Sequence, residues 1–190
     1  MKKIFLTGGN SLIGKKVIST SPCEIFAPSR EQLDLHDSQA IKGTDFTGFD
    51  TLIILHRAGR GERYYFKDWP EDNLEYNLHV NVTNTMLLIH KWLRQTDGGT
   101  VFYMGTSDVN DRCDYKIPYW GAKEMITNCL HSLKKTYKDL RVHTMHPASF
   151  EAKSKQLEQN NIRSADEIAS LIWKMINDNI SHLDVWNDHL

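Results

Sequence analysis

Tyr119 and Lys123 stand four residues apart in Tyr119-Trp120-Gly121-Ala122-Lys123, within a stretch whose apolar residues recur at helical spacing. On a helix that spacing places both on one face, where their tips can meet. An ammonium beside a phenol favours the phenolate and lowers its pKa from about 10 toward the range of a working general acid or base. The bland alternative is a pair that merely caps the helix and covers its surface. A second group with chemical potential is Thr7-Gly8-Gly9-Asn10-Ser11-Leu12-Ile13-Gly14, which follows an apolar run and opens a helical pattern. Strand, glycine turn and helix N-terminus make an anion cradle, since glycine admits a phosphate close to the backbone and the free N–H groups stabilise its charge. Glycine-rich turns of this kind also arise for steric reasons alone.

Gly9 to Lys15 also fits the phosphate-binding string GxxxxGK. Lys16 then stands where that motif needs Ser or Thr to hold magnesium, and no apolar strand ends in a suitable Asp. The nine histidines raise the question of a metal. Of these, His143 and His146 are close in sequence, but on a strand residues three apart face opposite ways, so no metal site is expected.

The elements that must position these residues follow from the alternation of short apolar runs with longer helical patterns. Strands are expected at Ile4–Leu6, Glu24–Ala27, Thr51–Leu55, Val101–Met104 and Arg141–Met145, with a weaker sixth at Leu183–Trp186. Several lack polar alternation, as strands covered on both faces do. Between them, Leu12, Ile13, Val17 and Ile18 line one helix, and Leu74, Leu78, Val82, Met86, Ile89 and Leu93 form a long stripe. Ile126 to Tyr137, with Pro118 near the helix start, and Ile168 to Ile176 complete the set. The pattern predicts a three-layer α/β domain, a doubly wound parallel sheet with helices on both faces, spanning 1–190 without repeat or linker.

With 40% hydrophobic residues, 25% charged residues and a net charge of −1, the chain has no bias toward nucleic acid or a membrane surface. No apolar run approaches the roughly 20 residues of a spanning helix. The N-terminal apolar run is too short for a signal peptide, and three widely spaced cysteines fit reduced thiols; both point to a cytoplasmic protein.

Taken in order, these segments resemble the short-chain dehydrogenase/reductases. Thr7, Gly8 and Gly14 match the family's glycine motif, with Ser11 and Leu12 where its middle glycine would fall. Asp34-Leu35 resembles the pair bordering the adenine, and His56-Arg57-Ala58-Gly59 is similar to the turn beside the cofactor. Asn81-Val82 with Thr85 corresponds to the Asn-containing helix motif, and Tyr119 to Lys123 matches YxxxK behind Thr106-Ser107. The resemblance implies a Rossmann fold that binds a nicotinamide dinucleotide, with Gly8, Asn10, Ser11, Leu12, Ile13, Gly14, Ser29, Arg30, Asp34, Leu35, His56, Ala58, Gly59, Thr106, Lys123 and Pro147 around the cofactor. It assigns Tyr119 as proton donor to a carbonyl, Lys123 to the nicotinamide ribose, and Ser107 to polarising the carbonyl, with Thr106 the alternative. Asn81 would support a proton relay through water.

NAD-preferring sites end the second strand with an acid for the ribose 2′-hydroxyl. Here the chain reads Phe26-Ala27-Pro28-Ser29-Arg30, and Arg30 suits a 2′-phosphate, so NADP is expected over NAD, with a plain surface arginine as the bland alternative. Arg60 and Arg63, in a basic and aromatic segment after the third strand, are candidates for binding an anionic small-molecule substrate, or for solvated pairs with Glu62 or Asp68. Family relatives carry a substrate lid after Pro147, whereas here 148–163 is short, which predicts a reduced substrate region. Three functions stay open: an NADP-dependent oxidoreductase, a sugar-nucleotide epimerase or reductase relative, and a non-catalytic nucleotide sensor. The long helices, with Trp92 and Trp120, could pair two copies of the chain, or the tryptophans could fill its own core.

Overall fold

The computed structural model describes residues 3–58, 65–96, 98–106, 117–147 and 164–185, with the last three by backbone alone. The elements run β1 (Lys3–Thr7), α1 (Leu12–Ser19), β2 (Glu24–Phe26), α2 (Ser38–Gly43), β3 (Thr51–Ile54), α3 (Glu71–Leu78), α4 (Thr85–Gln95), β4 (Gly99–Met104), α5 (Ile117–Thr136), β5 (Leu140–Pro147), α6 (Ala165–Asp178) and β6 (His182–Val185). All neighbouring strands pair parallel, in the order β2-β1-β3-β4-β5-β6. Chain direction along the sheet reverses between β1 and β3, so a crevice opens at their C-terminal ends, which is where open sheets of this kind place ligands.

Alternate strand residues feed two cores. Ile4, Leu6, Ile53, Phe102 and Met145 face α1 and α6, while Phe5, Leu52, Ile54, Val101 and Val142 face α2, α4 and α5. The strands are apolar on both sides because both sides are covered. On the first side, Ser164 and Glu167 form a capping box that starts α6. Lys16 of α1 pairs with Asp166 of α6 at 2.9 Å, so the lysine after Lys15 is spent between helices rather than on a phosphate.

Two features depart from the sequence reading, and a third decides between its alternatives. The short α2 is capped by Asp37, whose side chain accepts from the Gln39 amide at 2.7 Å; six residues are too few to show helical periodicity. The long stripe from Leu74 to Leu93 is not continuous, because a π-helical segment at His79–Asn84 separates α3 from α4. The wider turn shifts the facing of everything before it, leaving Leu78 42% exposed while Asn77, Asn81, Asn84 and Thr85 are buried. Finally, Trp92 and Trp120 are both buried within the chain's own fold, which removes them from any surface through which two copies could pair.

Candidate functional site

Gly8 ends β1 with φ +79°, and a Cβ there would sit 2.8 Å from the His56 amide nitrogen. Glycine is therefore required on both conformational and steric grounds. Gly14, buried in the first turn of α1, packs so closely that a Cβ would collide with the Gly8 carbonyl. Between them Ser11 caps α1: its Oγ accepts from the Gly14 amide at 3.0 Å and donates to the Gly8 carbonyl at 2.7 Å. The residue standing in for the middle glycine thus stabilises the turn itself. Asn10, Ser11 and Leu12 are exposed at its rim, with Ile13 buried beneath. Helix N-terminus, tight glycine turn and absent side chains form a cradle that suits a pyrophosphate.

Across the crevice, the end of β3 is fixed by side chains from two other elements. The Thr85 hydroxyl donates to the Val80 carbonyl (3.0 Å), so it accepts from His56 Nε2 (2.9 Å), and the Thr7 hydroxyl then serves His56 Nδ1 (2.8 Å). His56 is accordingly a neutral imidazole spanning β1, β3 and the start of α4. Its pKa is held down to about 3, by burial of the ring first and by the Lys123 charge second. Two residues further on, Asn81 takes both backbone groups of buried Ala58, accepting from its N–H at 2.8 Å and donating to its carbonyl at 3.0 Å. The Asn81 side chain thus holds this turn.

Lys123 lies one helical turn after Tyr119 on α5, and its surroundings exclude the surface-covering alternative. It is 4% exposed, its Nζ donates to the Met104 carbonyl at 2.7 Å, and the ammonium lies 4.7 Å from the Tyr103 ring centroid and 5.9 Å from that of Tyr119. Burial, and then the charge of Arg57, brings its pKa down to about 7. Tyr103 beneath it is pushed well above 10 by burial and by Tyr119. Tyr119 itself is partly buried, and the Arg57 guanidinium carbon sits 5.4 Å from its ring centroid. A phenol flanked by a buried amine and a fixed guanidinium is equipped to give up and regain a proton.

The remaining expected residues divide by location. Thr106 is buried at the end of β4, with its carbonyl 3.2 Å from His146 Nδ1, and Pro147 is buried at the end of β5. Ser29 and Arg30 follow β2. Arg30 is exposed, and its Nε and Nη2 each lie 3.4 Å from Asp34 Oδ2. Asp34 also accepts from the His36 amide (3.0 Å), which with Arg30 holds its carboxyl below the usual range. Leu35 is partly buried against the α2/α4 core. Ser107, Gly59, Arg60 and Arg63 lie outside the described residues. Thr7, Arg57 and Thr85 stand in the sequence motifs without a role of their own, and Tyr103 is not singled out there; its place beneath Lys123 emerges only from strand register. The rings of His131, His146 and His182, distant in sequence, also gather here at 5.1–5.8 Å, but among the described residues no histidine, cysteine or carboxylate group is arranged to hold a metal.

No family model matches the sequence, and no curated protein matches it. Solved structures do. The chain has the Rossmann fold of the short-chain dehydrogenase/reductases. It superposes on the protein lin1944 from Listeria innocua with a TM-score of 0.85 at 14% identity, covering 98% of this chain and 100% of that one. A short chain dehydrogenase from Burkholderia cenocepacia in complex with NADP gives 0.76 at 16% identity, with 96% and 95% covered. A small-chain dehydrogenase in complex with NADPH gives 0.75 at 16% identity over the same shares. In this short-chain dehydrogenase/reductase fold, the β1–α1 turn, the end of β3 and the start of α5 all border the crevice where the sheet reverses.

Proposed function

We propose that the chain is an NADP-dependent oxidoreductase of the short-chain dehydrogenase/reductase type, reducing a carbonyl or oxidising an alcohol of a small substrate, with Tyr119 as general acid and base. The observation that carries this is Lys123. An ammonium held 4% exposed, one helical turn from a tyrosine and at the C-terminal edge of the sheet, is costly to the fold and has no packing rationale. Two of the structural neighbours are complexes with NADPH and NADP, which supports a nicotinamide dinucleotide as the cofactor.

The residues fit such a cofactor. The Gly8–Gly14 turn and the α1 N-terminus would take the pyrophosphate, Asp34 and Leu35 would border the adenine, and Arg30 with Ser29 would receive the 2′-phosphate. His56, Ala58 and Pro147 would lie at the nicotinamide end, and Lys123 would serve the ribose. When bound, the cofactor supplies or accepts the hydride. Tyr119 gives its phenolic proton to the carbonyl oxygen, leaving a phenolate that Lys123 stabilises. Ser107 or Thr106 would hold the carbonyl oxygen, and Asn81 would support the relay through water that returns the proton.

Tyr119→Phe tests the assignment because it keeps the ring and removes the proton. Turnover with NADPH should fall by at least the ~10²–10⁴-fold typical of general acid–base groups, while NADPH affinity by calorimetry changes little. Retained turnover would dismiss the role. The short connection from Pro147 to Ala165 favours a second reading, a nucleotide-binding sensor. It gains if a broad carbonyl panel gives no NADPH oxidation.

A further inference from the structure

The C-terminal end of β4 is tied at three successive residues. Lys123 Nζ donates to the Met104 carbonyl at 2.7 Å, the Gly105 amide donates to the Met145 carbonyl at 2.8 Å, and His146 Nδ1 stands 3.2 Å from the Thr106 carbonyl. A carbonyl only accepts, so Nδ1 of His146 carries the proton. The imidazole is packed as closely as it is bonded. A Cβ on buried Gly105 would sit 2.6 Å from both Cε1 and Nδ1 of His146, so the ring lies against the bare Cα of that glycine. Gly105 is not among the glycines with positive φ, and room for the ring is therefore what its missing side chain provides. His146 is 6% exposed, and Pro147 after it confines its backbone to the extended region. The His182 ring of β6 lies 5.1 Å away, with its own Nδ1 2.8 Å from the buried Thr144 hydroxyl.

We infer that His146 is a positioning residue of the site: by holding the Thr106 carbonyl, it sets where β4 delivers the hydroxyl that meets the substrate carbonyl. That hydroxyl belongs to Thr106 or to Ser107, which follows it directly in the chain. The pairing register of β4 with β5 ends at Met104 and Met145, two residues short of Thr106. Beyond it, the backbone supplies the bond at Gly105 and the imidazole supplies the bond at Thr106. A displacement of about 1 Å in such a group can cost about 10²-fold in rate, even when its cause lies away from the reacting atoms. His146 acts through Thr106, on the strand beside its own, and so complements Lys123, which ties the same strand end from α5.

This inference rests on the oxidoreductase reading, and the experiment separates the two. In NMR spectra of the whole chain, the imidazole nitrogens of His146 should show the Nδ1–H tautomer. The Thr106 carbonyl carbon should move upfield in His146→Leu, which fills the space without a donor. It should return in His146→Asn, whose Nδ2 stands where Nδ1 does. In turnover of NADPH with methyl acetoacetate, His146→Leu should lose roughly ten- to a hundredfold in kcat. Its NADPH affinity should stay unchanged, and His146→Asn should recover most of the rate. Gly105→Ala drives a Cβ into the ring, so it should cost activity alone and little more in the His146→Ala background. An Nε2–H tautomer, a Thr106 carbonyl shift indifferent to position 146, or an unchanged kcat in His146→Leu would each overturn the inference. If His146→Leu does not fold, the wild-type tautomer and the Gly105→Ala coupling decide instead. Should the NMR signatures hold while neither methyl acetoacetate nor a broad carbonyl panel drives NADPH oxidation, the oxidoreductase reading fails and the tie from His146 to Thr106 stands.

Discussion

Lys123 puts the energetic tension of this molecule into one side chain. Its ordinary pKa of 10.5 falls to about 7 in the fold, so between those values the unfolded chain binds a proton that the folded chain has released. Stability must then rise with pH from about 7 to about 10, because it increases wherever the unfolded state holds more protons. Below pH 7 the amine is charged in both states, and the burial cost is paid in full by the fold. Lys123→Met removes it, losing only the hydrogen bond to Met104. Replacing a buried charge by an apolar group of similar volume is commonly neutral or stabilising by about 1–4 kcal/mol. The variant should therefore melt above the wild type at pH 6, and the difference should shrink toward pH 10. Differential scanning calorimetry across that range checks it, and a pH-independent difference would show that Lys123 does not lose its proton in the fold. The Tyr119–Lys123 pair was legible from spacing alone, since helix periodicity fixes which residues share a face. Its burial was not, because an arginine, a strand carbonyl and a second tyrosine from distant segments create the environment.

Between residue and fold lies the π segment, where the sequence was least informative. Spacings of three and four made Leu74 to Leu93 look like one helix, yet the functional content sits in polar residues off that stripe. Asn81 and Asn84 read as ordinary surface positions by periodicity, but each is buried on loop backbone: Asn81 on Ala58, Asn84 on the Leu35 and His36 carbonyls. Asn84 thus ties the loop after β2 to the same segment that fixes the end of β3. The resemblance singled out Asn81 for a proton relay, and in the structure its side chain holds the Ala58 backbone. Asn81→Ala orphans a buried donor and a buried acceptor on Ala58, at about 1–3 kcal/mol for each group left unpaired. A loss of about 2–6 kcal/mol should appear in urea unfolding as a lower midpoint with an unchanged slope. If Asn81→Ala instead keeps stability and loses only turnover, the relay role is the true one. The glycine turn, the strands and α6 were readable because each obeys a local rule of φ, period or cap.

At the scale of the whole molecule, the crevice gathers segments that meet nowhere else: the β1–α1 turn, the stretch after β2, the end of β3 and the start of α5. A dinucleotide lying across them binds the folded chain alone and so adds to its stability, by about 2.7 kcal/mol at a hundredfold excess over Kd. For a chain of this length each kcal/mol is worth roughly 2–4 °C, so saturating NADPH should raise Tm by about 5–10 °C. NADH, lacking the 2′-phosphate, should raise it less at equal concentration. The group proposed to discriminate is Arg30, whose pair with Asp34 is long at 3.4 Å and solvent-exposed. Such a pair is worth little, so the guanidinium can turn to a phosphate at small cost. Arg30→Ala should bring the two cofactors' melting shifts together by lowering the NADPH shift, with the NADH shift nearly unchanged because the glycine turn that holds the pyrophosphate is untouched. A wild type stabilised equally by both cofactors would assign Arg30 to the surface pair alone and leave the site without a preference.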